Sequence, residues 1–136
     1  MISTDITALL RAHGIAPTRQ RMEIAHILFS RCDHFSAEKI LNEINAQQGD
    51  SSKATVYNTL RLFTEKGLVR ELIVDPTKVF YDSNTQPHHH FYNTQTGELT
   101  DLPLGHFQFS ALPELPEGME AESVDVIVRI RPQHAP

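Results

Sequence analysis

Apolar residues recur at helical spacing through the first half of the chain and alternate with polar ones in parts of the second. Ile6, Leu9 and Leu10 share one face of a first helix, which Ser3 or Thr4 can cap and which ends near Gly14. Pro17-Thr18 opens a second helix, with Ile24, Ile27 and Leu28 on its apolar side. Ser36 can cap a third, carrying Ala37, Ile40, Leu41 and Ile44. After the polar turn Gln47-Gln48-Gly49-Asp50, Ser51 or Ser52 caps a fourth helix that runs to Gly67. Two β stretches follow, Leu68–Val74 and Lys78–Asp82, and between them Pro76 takes the second position of a type I turn. Helix, turn, helix, hairpin is the order of a winged helix-turn-helix.

The pattern then changes. Residues 83–87 (Ser-Asn-Thr-Gln-Pro) are loop-like and mark a boundary or hinge. Beyond them the sequence predicts a strand at His88–Asn93, a turn at Thr94-Gln95-Thr96-Gly97 and a strand at Glu98–Leu102. A Pro- and Gly-broken stretch reaches Gly118, and Val124, Val126, Val128 and Ile130 alternate along a last strand, Ser123–Arg131. The expected organisation is a DNA-binding domain at 1–82 and a second, small domain at 83–136. A block that short has few residues for a core of its own, so dimerisation through its sheet is expected.

The fourth helix has two distinct faces. Val56, Leu60 and Phe63 form the apolar one, and Ala54, Tyr57, Asn58 and Arg61 lie opposite. On the second face Arg61 can pair with phosphate, Asn58 can bond an adenine edge and Tyr57 can pack on a thymine methyl. Arg11, Arg19 and Arg21 can grip flanking phosphates. The net charge of −5 looks unfavourable for a DNA binder, but its distribution is uneven. Residues 1–82 hold ten basic and ten acidic side chains, whereas residues 83–136 hold two and seven. Local charge facing the phosphates decides affinity, so only the second block argues against nucleic acid.

Three consecutive histidines, His88-His89-His90, lie between Asp82 and Asp101. In an extended strand His88 and His90 face one way and His89 the other. Two imidazoles on one face can close around a single ion, and adjoining carboxylates bias such a site toward harder ions. Spacing alone leaves open whether Asp101 shares their side, because a one-residue slip would flip it. It cannot place His34 at all. His13, His26 and His134 have no ligand spacing and read as structural or exposed. The single cysteine, Cys32, excludes an internal disulfide and any four-cysteine zinc site, and reads as a buried, inert thiol. No long apolar run and no signal-peptide pattern is present, so a cytoplasmic protein without membrane association is expected.

Together these residues resemble the ferric uptake regulator (Fur) family. The resemblance is carried by Gly14-Ile15-Ala16-Pro17-Thr18-Arg19-Gln20-Arg21, His34-Phe35-Ser36-Ala37-Glu38, Ala54-Thr55-Val56-Tyr57-Asn58-Thr59-Leu60 and the histidine run. Asn58, Asp82 and Asp101 are similar to the peroxide-sensing branch. The triple histidine, Phe80–Thr85, Leu115-Pro116-Glu117-Gly118 and Asp125–Arg131 look more like the heme-linked iron response regulator branch. The resemblance implies an α+β chain, a winged-helix domain followed by a small α/β dimerisation domain. It implies a homodimer on palindromic double-stranded DNA, and a regulatory ion on His34, Asp82, His88, His90 and Asp101. That donor set suits Fe2+ or Mn2+, with Zn2+ binding in vitro. The implied function is a non-enzymatic, metal-dependent repressor of iron, metal or peroxide-stress genes, with the ion clamping the hinge.

Departures from the family pattern are informative. Thr94-Gln95-Thr96-Gly97 stands where many members carry a Cys-x-x-Cys pair, so no structural four-cysteine zinc can form. A second metal or heme site would have to use His89, with His106 and Asp125 as further candidates. Asp33 follows Cys32, so the Cys-Pro heme signature is missing, and Ala16 replaces a basic residue often found before the second helix. Two alternatives accompany this reading. One is heme sensing through His88–His90. The other is a small non-heme iron enzyme, since two histidines and a carboxylate also make an oxygenase triad.

Overall fold

The computed structural model describes residues 3–31, 33–47, 51–102 and 110–134. Cys32, His106 and most of the Gln47–Asp50 turn lie outside the described residues, and with them the expectations about the thiol and about His106. The chain divides into two compact units, Met1–Thr85 and Gln86–Pro136.

In the first unit α1 (Ser3–Ala12), α2 (Arg19–Ser30), α3 (Ala37–Ala46) and α4 (Lys53–Glu65) enclose one apolar core. Thr18, Ser36 and Ser52 cap α2, α3 and α4, each side-chain oxygen accepting from the backbone N–H three residues on. The expected apolar positions are the ones that close the core: Ile6, Leu10, Ile24, Leu28, Ile40, Val56, Leu60 and Phe63 are all fully buried. Gly67, at φ 75°, ends α4 in the left-handed conformation a side chain would resist, and Leu68 N–H turns back onto the Phe63 carbonyl at 2.9 Å.

The wing follows as β2 (Arg70–Asp75) and β3 (Lys78–Asp82), an antiparallel hairpin whose turn is held by Asp75 accepting from Thr77 N–H. A third strand, β1 (His34–Phe35), pairs with β3 on its other side, so the sheet runs β1-β3-β2. No strand is expected at His34-Phe35, which directly precede the cap Ser36. Phe35 decides otherwise: its ring is fully buried in the core, flanked by the Arg31 and Lys39 cations at 5.0 Å each, and this presses the backbone against β3.

The second unit is a sheet of β5 (Leu99–Asp101), β4 (His90–Asn93) and β6 (Ile127–Ile130), with β4 in the middle. β4 pairs antiparallel with β5 across the Asn93–Gly97 turn and parallel with β6. Here the outcome is narrower than expected: the last strand covers four residues, and the described residues of this unit contain strands only, without the helix that an α/β domain supposes. Its buried side chains among the described residues are His90, Tyr92 and Leu99. No helix among the described residues is long and apolar enough to cross a membrane.

Candidate metal centre and nucleic-acid interface

The first unit contributes a His–Asp pair. His34 and Asp82 are direct cross-strand partners in the β1–β3 ladder, which puts both side chains on one face of the sheet. Nε2 of His34 lies 3.1 Å from Oδ2 of Asp82, with both side chains about nine-tenths buried. The other Asp82 oxygen accepts from Asn84 N–H at 2.9 Å, which orients the carboxylate. Asp33 Oδ1 accepts from His34 N–H at 2.8 Å and steadies the strand start.

The second unit contributes two histidines on one carboxylate. His90 and Asp101 face each other directly in the β4–β5 ladder, so the register question resolves in favour of a shared face. Nε2 of His90 lies 3.4 Å and Nε2 of His88 3.3 Å from the same oxygen, Oδ1 of Asp101. The two ring centroids are 4.4 Å apart, and the side chains are 2 % and 6 % exposed. His88 precedes β4 rather than lying in it, so the pairing with His90 comes from the loop approach as well as from strand alternation.

The tautomer of His88 follows from its other nitrogen. Nδ1 sits 2.6 Å from the Gln86 carbonyl oxygen, which can only accept, so Nδ1 carries the proton and Nε2 can present a lone pair. That is the backbone-carbonyl support typical of a metal-binding imidazole. Donor atoms about 2.1 Å from one ion stand roughly 3.0–3.4 Å from each other, and the separations in both half-sites fall in that range. A plain His–Asp hydrogen bond would need one imidazole. Two imidazolium rings this close would repel, whereas one cation between two lone pairs and a carboxylate satisfies all three.

His89 is set apart, as strand alternation predicts. Its Nδ1 accepts from Val126 N–H at 3.1 Å, and its carbonyl accepts from Leu102 N–H at 2.8 Å. Asp125 is exposed beside that contact. The sequence carries no signal for the Gln86 and Val126 contacts, because both partners are backbone groups.

One face of α4 is open to solvent. Ala54, Tyr57, Asn58 and Arg61 are exposed, while Val56, Leu60 and Phe63 are buried opposite them. Arg19 is exposed and paired with Glu23 at 3.1 Å. Tyr57 is held by a residue not expected to matter: its hydroxyl donates to Glu38 Oε1 on α3 at 2.6 Å. That bond pulls the Glu38 carboxyl below its ordinary range and pushes the Tyr57 phenol up to about 12. Lys53 lies over the Tyr57 ring at 5.8 Å.

Residues 12–124 match the model of the ferric uptake regulator family. The chain belongs to that family. This Fur-family member is 35% identical over 108 residues to the peroxide-responsive repressor PerR of Staphylococcus aureus, covering 79% of this chain and 70% of the relative. Its fold matches the ferric uptake regulator of Pseudomonas aeruginosa with manganese, at TM-score 0.69 and 21% identity, over 98% of this chain and 100% of that one. It also matches the regulator of Francisella tularensis with iron, at TM-score 0.70 and 19% identity, over 88% and 93%. The protein is therefore a PerR-like, metal-dependent transcription regulator with a His/Asp metal site, and not an enzyme. Regulators of this family bind operator DNA, typically as dimers.

Proposed function

We propose that His34, Asp82, His88, His90 and Asp101 are ligands of one regulatory ion, Fe2+ or Mn2+, whose binding sets operator affinity. The five form a group able to hold a metal ion, one ligand atom each. The observation that carries the reading is the convergence of two supported imidazoles on the Asp101 carboxylate in a chain of this family. Three imidazoles and two carboxylates suit Fe2+ or Mn2+ better than a closed zinc site, although Zn2+ can occupy them in vitro. Manganese and iron are also the ions named for the two similar structures above.

When bound, the ion supplies positive charge that holds ligands from both sides of residues 83–87, the hinge between a DNA-binding domain at 1–82 and a dimerisation domain at 83–136. Ion binding then favours one spacing of the two recognition helices in a homodimer, matched to a palindromic operator in the cytoplasm. The size of the switch equals the ion's differential affinity for the two spacings. Arg19, Ala54, Tyr57, Asn58 and Arg61 carry the DNA contact. A response to peroxide is the natural stimulus, given the 35% identity to a peroxide-responsive repressor.

The test is a fluorescence anisotropy titration of a labelled duplex selected from a random pool by the Mn2+-loaded protein. Wild type binds tightly with Fe2+ or Mn2+ and weakly without. His88→Ala and His90→Ala remain folded dimers and lose the metal dependence; an unchanged metal dependence in both would sink the proposal. Heme competes less well as an explanation. His89 holds Val126 N–H with Nδ1, which leaves Nε2 protonated and without a lone pair for iron.

A further inference from the structure

Glu38 has no expected role in DNA contact, yet it touches the centre of the reader face. It sits in the first turn of α3, where the cap Ser36 and the helix N-terminus favour a carboxylate in a fixed place. Tyr57 lies one turn into α4, nineteen residues away, the residue 37 % exposed and its hydroxyl 2.6 Å from Glu38 Oε1. Because the hydroxyl proton is committed to the carboxylate, what Tyr57 offers outward is its ring. Lys53 lies on that ring, and Lys53 and the wing residue Lys78 both act on the carboxylate through their charge.

We propose that Glu38 is a positioning residue for sequence readout: it clamps Tyr57 in the orientation in which the ring edge meets a thymine methyl. The inference rests on the DNA-reading role proposed for α4. A tyrosine released from the clamp regains rotation about its side-chain bonds and loses a pre-organised apolar contact. The remaining base and phosphate contacts of the helix are untouched, so the clamp serves discrimination rather than affinity in general. The carboxylate also faces the phosphates' own charge, which holds down binding to DNA of any sequence.

The experiment uses the full-length, Mn2+-loaded protein and three duplexes: the one selected by wild type, a scrambled version, and the selected one with thymines replaced singly by deoxyuridine, which removes only the methyl. Wild type is expected to lose about tenfold in affinity at one thymine per half-site. Glu38→Ala and Tyr57→Phe should each lose affinity for the selected duplex but not for the scrambled one, and should become indifferent to deoxyuridine. Adding Tyr57→Phe to Glu38→Ala should change nothing further, since Glu38→Ala has already removed the contact. Glu38→Gln keeps an acceptor for the hydroxyl, so it should restore the deoxyuridine penalty while binding both duplexes more tightly. A full penalty in Glu38→Ala, or an equal loss on selected and scrambled DNA by folded protein, overturns the inference. If wild type itself shows no preference for any duplex, the reading of α4 fails instead.

Discussion

The chemistry of single side chains here is set mainly by what their second atom touches. His88 presents Nε2 because Gln86 holds Nδ1; His89 cannot, because Val126 holds its Nδ1. His89→Ala should therefore leave metal stoichiometry unchanged and lower stability by about 1 kcal/mol, the usual loss for one hydrogen bond. Metal analysis and thermal melting check this, and a missing equivalent of metal would show that His89 is a ligand. The Glu38–Tyr57 bond has a definite pH signature. Glu38 is depressed below its ordinary 4.5, so its contribution is complete above that value and is lost as pH falls through the lowered one. Tyr57 is raised from 10.0 to about 12, so its contribution is complete below 10.0 and is lost as pH climbs through about 12. The stability difference between wild type and Tyr57→Phe should accordingly be flat between those limits and shrink on both sides, as measured by denaturant unfolding across pH.

Among the elements, α4 was legible almost entirely in advance. Its buried and exposed faces follow from a period of 3.6 residues, and that period is written in consecutive positions. Asn58 and Arg61 share the exposed face but should behave differently when removed. Arg61→Ala is expected to weaken selected and scrambled duplexes alike and to reduce the slope of log affinity against log salt by about 1. Asn58→Ala should instead cut the preference for the selected duplex and leave that slope alone. A salt series on both duplexes distinguishes them. The strands were less legible. β1 is two residues long and exists because Phe35 is drawn into the core, and β6 kept four of the nine residues its alternation suggested. Alternation marks a half-buried strand only where a neighbour is there to bury one side.

For the molecule as a whole, the proposed ligand set makes the ion a stabiliser of the folded, DNA-competent state. Chelation should lower both the melting temperature and operator affinity, and added Mn2+ should restore both, by mass action on the form that binds it. Melting and anisotropy on the same sample test this; a melting temperature indifferent to chelator would count against the shared site. The second unit leaves Leu112, Leu115, Met119, Val124, Val128 and Ile130 exposed, with few buried residues among those described. An exposed apolar surface of that kind commonly marks an interaction face.

Sequence alone was sufficient for the four helices, the wing and the two faces of α4, because each depends on residues close together in the chain. It was not sufficient for Asp101 opposite His90, for His34 opposite an aspartate 48 positions later, or for Glu38 against Tyr57. Those juxtapositions are matters of register and helix packing. They are decided by where the buried apolar faces let strands and helices come together, and in the strands a slip of one residue would have sent each side chain to the other face.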